Sequence, residues 1–115
     1  LLASTDPLTG VINRRRFFHT AEAELYRARR YDRPLVLALV DIDHFKRIND
    51  THGHAVGDDT LKTLAHAFAN RLRRSDLFAR FGGEEFVLLL PETSLGDGLR
   101  LCERLRQMVE TIKLQ

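Results

Sequence analysis

Two pairs of carboxylates interrupt segments of the chain that otherwise have the composition of buried β-strands. Asp41 and Asp43 close an aliphatic run, and Glu84 and Glu85 follow the glycine pair Gly82-Gly83. If the second segment lies beside the first, either glutamate comes within reach of the aspartates, and buried carboxylates are costly unless a cation meets them. Two or three carboxylates with open positions left over are typical of a Mg²⁺ site that substrate phosphates complete. The alternative for the two glutamates is an exposed acidic turn.

A polar segment between the two acidic pairs has side chains suited to a nucleotide. Asn49 and Asp58 can read a purine edge, because a carboxylate accepts hydrogen bonds from the N–H groups of guanine. Lys46 could meet a phosphate as a point charge. His52 and His54 lie in the same segment, but neither a cysteine pair nor the usual histidine spacing accompanies them, so we expect no zinc site.

The composition is that of one soluble domain. At 115 residues the chain has the length of a single domain, which we assign to residues 1–115. No apolar run approaches the ~18 residues of a membrane span, and the first residues lack the features of a signal peptide. Tryptophan is absent and the two tyrosines are isolated, so we expect no nucleic-acid partner. The single cysteine, Cys102, fits a reducing compartment, and we expect a cytoplasmic location.

The hydrophobic pattern predicts elements that would position these side chains. The predicted order is a helix from Asn13 to Arg30, a buried strand Leu35–Asp43, a short helix Phe45–Asp50, a loop Thr51–Gly57, a helix capped by Asp58 or Asp59, strands Leu77–Phe81 and Phe86–Leu90, and a helix starting at Ser94. The Gly82-Gly83 pair predicts a type I′ hairpin turn with positive φ at both glycines. These elements predict an α/β sandwich whose sheet contains an antiparallel hairpin.

Three segments in this order and spacing resemble the GGDEF family, the diguanylate cyclases, in its GGEEF variant. They are DPLTGVINRRRF, VDIDHFKRINDTHGHAVGDDTL and RFGGEEF, and the similarity runs from Asp6 to about Arg106. The resemblance implies a palm-like, ferredoxin-like nucleotidyl cyclase fold with a central sheet flanked by helices. It also implies that two GTP molecules condense to cyclic di-GMP with release of two pyrophosphates, and that GTP and cyclic di-GMP are the small-molecule partners.

The resemblance also assigns roles to individual residues. The implied Mg²⁺ ligands, with Mn²⁺ able to replace the ion, are Asp41, Glu84 and the backbone carbonyl of Ile42. The implied substrate contacts are Asn49, His54 and Asp58 for guanine, Lys46 for phosphate, and Gly82 and Gly83 for close approach of the backbone to the nucleotide. Either Glu85 or Glu84 is the implied base for the attacking 3′-hydroxyl, and the sequence does not decide between them.

A second implied site is inhibitory. Arg73 and Asp76 form an R-x-x-D motif that is separated from Gly82 by the five residues Leu77 to Phe81, and this spacing is similar to that of the family's site for inhibition by cyclic di-GMP. Arg104 on the last helix would complete that site. The alternative for the motif is a charged helix end before a strand.

The resemblance finally implies partners. Catalysis would need an antiparallel homodimer, and the parent protein would carry an upstream sensor or receiver and, in some architectures, a membrane anchor. Because the family continues with more sheet and basic residues, we expect residues 1–115 to be incomplete at the C-terminal end, and this fragment alone could be inactive. The alternative functions are a non-catalytic GTP or cyclic di-GMP receptor and a different nucleotidyl cyclase.

Overall fold

The computed structural model describes residues 3–110, which form one sheet with helices on both faces. In chain order the elements are β1 (Ile12–Asn13), α1 (Arg14–Arg30), β2 (Leu35–Asp41), α2 (Phe45–His52), α3 (His54–Ala69), β3 (Leu77–Gly82), β4 (Glu85–Pro91) and α4 (Leu95–Glu110). The predicted α/β class is therefore confirmed.

The sheet is mixed and has the strand order β1-β3-β4-β2. β1 runs parallel to β3, whereas β3 and β4 form the predicted antiparallel hairpin. β2 pairs antiparallel with β4, from Leu35 opposite Pro91 to Asp41 opposite Glu85. The sequence did not predict β1, because a strand of two residues is too short to show an alternating pattern.

Alternating residues of β4 supply both halves of the core. Phe86 and Leu88 face α3 and α4, whereas Val87 and Leu89 face α1. The larger cluster consists of Leu61, Leu64, Ala65, Phe68, Phe78, Phe86, Leu88 and Leu105. Because β4 is covered on both faces and paired on both edges, it is the most firmly held strand and gives its first residue, Glu85, a fixed position.

The outer strand β2 is covered on the face towards α3 and α4, whereas on the face towards α1 Leu35 packs against the core and the following residues do not. Leu37 and Leu39 pair with β4 residues on the side of α1, but they are 60% and 81% exposed.

No helix within residues 3–110 is both long and apolar enough to cross a lipid bilayer.

Two helices begin at the predicted caps. The Asn13 Oδ1 atom accepts from the backbone N–H of Arg16 at 2.9 Å, and α1 follows. The Ser94 Oγ atom accepts from the backbone N–H of Asp97 at 3.1 Å, at the start of α4. Each bond satisfies a backbone donor that the first helical turn leaves unpaired.

The boundaries around the polar segment differ from the prediction. β2 ends at Asp41 rather than Asp43, because the chain turns at His44, whose φ is 60°, and enters α2. The predicted loop Thr51–Gly57 is wrong, since the single residue Gly53, with a φ of 89°, separates α2 from α3. The polar residues of this segment indicated exposure rather than an absence of helix.

The prediction that Asp58 or Asp59 caps α3 is therefore wrong, because both residues lie in the second turn of that helix. No side chain caps this helix at all, because its N-cap position is Gly53. The sharp turn needs the positive φ that glycine adopts without strain, and this need outweighs the cap preference of an aspartate.

Candidate active site

The register of β2 on β4 brings carboxylates of the two acidic pairs together. Asp41 lies directly opposite Glu85, and the backbone N–H of Ile42 donates to the carbonyl of Glu84 at 3.3 Å. Residues opposite each other in an antiparallel pair share a face, with Cβ atoms about 5 Å apart, and two like charges there destabilise the pair. A cation between Asp41 and Glu85 would remove that repulsion.

The donor set at this strand end suits a hard divalent cation. Within residues 3–110 no three His, Cys, Asp or Glu side chains converge on one point, and Asp43 lies beyond the end of β2. The available oxygen donors are thus a small number of carboxylates and backbone carbonyls. Mg²⁺ accepts such an incomplete set, because phosphate and water oxygens fill its remaining positions.

The predicted type I′ Gly-Gly turn is wrong, because the hairpin turn has a different geometry. Gly82 pairs with Glu85, so the two connecting residues are Gly83 and Glu84. Neither glycine has a positive φ. The register shifts between Arg80 and Gly82, and this irregularity moves the turn by one residue from the position that a simple hairpin would give it.

Neither glycine of the turn is required by packing within the described chain. A Cβ atom at Gly82 would meet the Glu85 Oε1 atom at 3.7 Å, which is an ordinary contact, and one at Gly83 would meet nothing within 4 Å. Neither backbone conformation nor the neighbouring atoms therefore demand glycine here. The open space lies directly beside the carboxylates.

Arg80 anchors this turn to the N-terminal segment. Its Nε and Nη2 atoms donate to the carbonyl oxygen of Gly83 at 3.1 and 2.9 Å, and its Nη1 atom donates to both carboxylate oxygens of Asp6 at 3.2 and 3.3 Å. The Asp6 carboxylate also accepts from the hydroxyl and the backbone N–H of Thr9. Burial raises the pKa of Asp6, but the hydrogen bonds from Thr9 and Arg80 outweigh it and lower that pKa overall.

Phe81 holds the same turn from the other face of the sheet. Its ring centroid lies 5.3 Å from that of Phe17 and 5.4 Å from that of Phe18, both on α1. The guanidinium of Arg14 lies over the Phe81 ring at 5.2 Å from its centroid. These contacts fix the residue before the glycine pair, whereas the pair itself makes few contacts.

The predicted phosphate and guanine residues lie around the junction of α2 and α3. Lys46 is exposed in the first turn of α2, and no side chain caps that turn, so its backbone N–H groups remain available to an anion. His54 and Asp58 are both exposed and are four residues apart on α3, which places them on one face of the helix.

Asn49 differs from these residues because it lies partly buried between the two helices. Its Oδ1 atom is buried without a hydrogen-bond partner in the described part of the chain. The atom sits where the Cβ atom of any residue other than glycine would lie at position 57, 1.8 Å from that ideal position. Gly57 itself is buried, although its neighbour Asp58 is exposed.

The R-x-x-D motif forms a compact hydrogen-bonded turn. The Nη2 atom of Arg73 donates to Asp76 Oδ1 at 2.9 Å, to the carbonyl of Pro91 at 2.9 Å and to the hydroxyl of Thr93 at 2.7 Å. The Asp76 side chain is 1% exposed, whereas that of Arg73 is 55% exposed. The hydrogen bond to Asp76 raises the pKa of Arg73 further, so its charge is permanent.

The predicted inhibitory residues differ in exposure. Arg73 presents part of its guanidinium to solvent, but the Asp76 carboxylate is covered, and a ligand would reach it only after the Arg73 side chain had moved. Arg104 is exposed on α4, and no hydrogen bond or ion pair joins it to Arg73 or Asp76 among residues 3–110.

Sequence reasoning missed three residues that shape the site. Arg80 was not singled out, although a charged residue in an apolar strand, two positions before the glycine pair, was a usable signal. Asp6 received no role in the site from the sequence, and its bond to Arg80 spans 74 positions of the chain. Gly57 was placed in a loop, where a glycine needs no further explanation.

Comparison with known proteins gives the family of this chain. A family model described as "Diguanylate cyclase, GGDEF domain" matches residues 3–115. The diguanylate cyclase DgcP of Pseudomonas aeruginosa is 54% identical over 107 residues, covering 93% of this chain and 16% of DgcP. The response regulator PleD of Caulobacter vibrioides is 46% identical over 108 residues, covering 94% of this chain and 24% of PleD. The chain thus spans no more than about a quarter of either relative.

Solved structures share the fold. The GGDEF domain of DgcB from Caulobacter crescentus, in complex with cyclic di-GMP, superposes with a TM-score of 0.95 at 32% identity and covers 100% of this chain and 67% of its own. The diguanylate cyclase SiaD of Pseudomonas aeruginosa, solved with its activator SiaC, has a TM-score of 0.93 at 44% identity, over 98% of this chain and 44% of its own. The fold that the sequence resemblance implied is confirmed, and this chain belongs to the GGDEF domain family.

Proposed function

We propose that this chain is the catalytic domain of a diguanylate cyclase, which condenses two GTP molecules into cyclic di-GMP and releases two pyrophosphates. Family membership and the names of the relatives support the proposal. The observation that carries it is the register of β2 on β4, which sets Asp41 opposite Glu85 beside an unobstructed turn. An acidic edge next to a backbone without side chains suits a triphosphate with its metal ion.

The reaction consists of two displacements at phosphorus. The 3′-oxygen of one GTP attacks the α-phosphorus of the other, a P–O bond forms, the bond to pyrophosphate breaks, and the 3′-hydroxyl proton passes to a base. The same step in the opposite sense closes the ring. Each domain holds one GTP, so two copies must face each other, and the two-fold symmetry of the product fits an antiparallel homodimer.

Asp41, Glu84 and the backbone carbonyl of Ile42 are the proposed ligands of Mg²⁺, for which Mn²⁺ could substitute. The hydrogen bond from Ile42 to Glu84 supports this set, because it keeps the two backbones adjacent. When bound, the ion neutralises charge on the triphosphate and on the departing pyrophosphate. Oxygen donors alone form the set, as a hard cation requires.

The base for the 3′-hydroxyl is one of the two glutamates. Glu85 is exposed at the start of β4, and Glu84 is half-buried in the turn. Substitution by glutamine distinguishes them, because loss of a metal ligand raises the Mg²⁺ concentration needed for half-maximal rate, whereas loss of the base lowers the rate at saturating Mg²⁺. We expect Glu84→Gln to show the first effect.

The nucleotide would lie across the turn and the α2–α3 junction. Lys46 and the uncapped first turn of α2 offer positive charge and backbone donors to the phosphates. Asn49 and Asp58, with His54 beside them, offer hydrogen-bonding groups to guanine. Gly82 and Gly83 leave room for the backbone to approach the nucleotide closely.

We also propose product inhibition through Arg73, Asp76 and Arg104. The capture of cyclic di-GMP by the related GGDEF domain of DgcB supports this regulation. Arg73 is the residue best placed to bind, because its guanidinium is already oriented by Asp76 and Thr93 and is more than half exposed. Arg73→Ala should shift the inhibition curve of cyclic di-GMP to higher concentration, and an unshifted curve would contradict the site.

The parent protein is proposed to act in the cytoplasm, where GTP is available, under the control of a sensor, a receiver or an activator. The name of PleD as a response regulator and the complex of SiaD with SiaC support control of this kind in related proteins. An input of this type would act on the distance and orientation of the two facing domains.

The decisive experiment incubates the full-length protein with GTP and Mg²⁺ and separates the products by chromatography. We expect cyclic di-GMP from the wild type and none from Glu84→Ala. Gly83→Ala should fold normally, because no atom within 4 Å opposes its Cβ atom, yet lose most turnover if the nucleotide lies there. GTP binding without product in the wild type would show a nucleotide receptor instead of an enzyme.

A further inference from the structure

The side chain of Asn49 lies in a notch that only glycine at position 57 can form. An ideal Cβ atom at Gly57 would lie 1.8 Å from the Asn49 Oδ1 atom and 2.9 Å from its Cγ atom. Non-bonded atoms do not approach so closely, so any larger residue would displace the amide. The third neighbour, the Phe45 Cζ atom at 3.4 Å, is in ordinary contact and would tolerate a Cβ atom.

Shape rather than hydrogen bonding holds the Asn49 amide in place. Its Oδ1 atom is buried and has no hydrogen-bond partner within residues 3–110. A buried polar atom without a partner costs free energy, so an isolated fold would gain by turning this amide towards water. The structure keeps the Asn49 amide inside the α2–α3 junction instead. There the amide lies beside Gly57, and the residue that follows Gly57 is the exposed Asp58.

We propose that Gly57 is a positioning residue that sets Asn49 against Asp58 for recognition of the guanine base. The inference rests on the proposed function, since it takes Asn49 and Asp58 as the groups that read the base. Gly57 touches no nucleotide in this proposal. Gly57 lets α3 approach α2 until the Asn49 amide on α2 lies over the backbone of α3. This contact fixes the direction of the amide before GTP arrives.

The competing explanation is that Gly57 serves only the packing of α2 against α3. The structure distinguishes the two explanations, because the severe contacts of a Cβ atom at this position involve Asn49 alone. If Asn49 is shortened to alanine, these contacts disappear and the Phe45 contact is tolerable. A pure packing role would not depend on the identity of residue 49 in this way.

The test is a double-mutant cycle in the full-length protein, with 3′-deoxyguanosine triphosphate as the probe because it lacks the attacking hydroxyl. Gly57→Ala should raise the Kd of this nucleotide by about tenfold or more when Asn49 is present, since a reading group is displaced. In the Asn49→Ala background the same change should alter Kd by less than about twofold. Gly96→Ala on α4, where the nearest atom to a Cβ lies at 3.7 Å, controls for a glycine-to-alanine change in a helix.

Two results would overturn the inference: an unchanged Kd in Gly57→Ala, or an equal rise of Kd in both backgrounds. If Gly57→Ala fails to fold, restored folding in the Asn49→Ala, Gly57→Ala double variant shows the same coupling, and an unfolded double variant overturns it. The side-chain amide signals of Asn49, identified by their absence in Asn49→Ala, should shift in the ¹⁵N–¹H spectrum of Gly57→Ala without nucleotide. Shifted signals in a protein that binds no guanine nucleotide would support the positioning role and refute the proposed function.

Discussion

Arg80 should control both the free energy of unfolding of the domain and its catalytic turnover, and substitution by glutamine separates the two effects. The Arg80 and Asp6 side chains are 18% and 16% exposed, so their ion pair is neither fully solvated nor fully buried. Exposed pairs contribute about 0–1 kcal/mol and the loss of one partner of a buried pair costs about 3–5 kcal/mol. We therefore expect Arg80→Gln to lower the free energy of unfolding by about 2–3 kcal/mol.

The same substitution removes the two hydrogen bonds that hold the Gly83 carbonyl. The turn that carries Glu84 then loses its anchor on this face of the sheet, while Phe81 continues to hold the other side. Because a displacement of about 1 Å near reacting groups can cost about a hundredfold in rate, we expect turnover to fall by about ten- to a hundredfold. The fall should persist at temperatures well below the unfolding transition.

Asp6→Asn is the matched variant, because it breaks the ion pair but leaves the bonds from Arg80 to Gly83 in place. Its unfolding free energy should fall by about 1 kcal/mol, with a much smaller loss of turnover. Arg100→Gln, which removes an exposed ion pair with Asp97, controls for the loss of a surface arginine. Urea unfolding followed by circular dichroism gives the stabilities, and chromatography of cyclic di-GMP gives the rates.

Either of two results would refute this reasoning. Wild-type turnover in folded Arg80→Gln would mean that the Gly83 carbonyl needs no anchor. Equal losses of turnover in Arg80→Gln and Asp6→Asn would mean that activity follows the ion pair, and hence general stability, rather than the position of the turn.

Three further predictions concern stability. Gly98→Ala should destabilise the domain by about 1–2 kcal/mol in urea unfolding, because its Cβ atom would lie 2.9–3.3 Å from three atoms of Val36, whereas Gly96→Ala should raise stability by up to about 1 kcal/mol. The stability difference between the wild type and Asp6→Asn should be constant above about pH 5 and shrink progressively as the pH falls through the ordinary carboxyl pKa towards the lowered pKa of Asp6, because the ionised form is stabilising and protonation removes that contribution. Leu88→Ala, at a side chain with no exposed surface, should cost about 2–5 kcal/mol by the same unfolding measurement.

The parts of the fold that depend on neighbouring residues could be predicted from sequence. The caps at Asn13 and Ser94 each use a side chain to bond a backbone N–H three residues ahead, and both were predicted correctly. The start of α3 was wrong, because Gly53 closes α2 and opens α3 within one residue. Local preference favoured Asp58 as a cap, but the contact between the two helices requires α3 to begin earlier.

The candidate site could be predicted in its residue types but not in its anchors. The approach of Asp41 to the second acidic pair followed from pairing β2 with the hairpin, and it is confirmed by the register. The contact of Arg80 with Asp6 joins residues that no periodic pattern relates, so the sequence alone could not predict it. The turn residues shifted by one position because an irregularity in β3, at Phe81, changed the register.

The glycines of this chain divide into those that the fold needs and those that it does not. Gly57 and Gly98 lie where a Cβ atom would collide with another element, and Gly53 has a backbone conformation that favours glycine. Gly82 and Gly83 meet neither condition, although each glycine loses more conformational entropy on folding than another residue would. Within residues 3–110 no contact of a Cβ atom and no positive φ accounts for glycine at these two positions. The nucleotide proposed to lie against the bare backbone of the turn, beside Asp41 and the two glutamates, would offset that loss of conformational entropy.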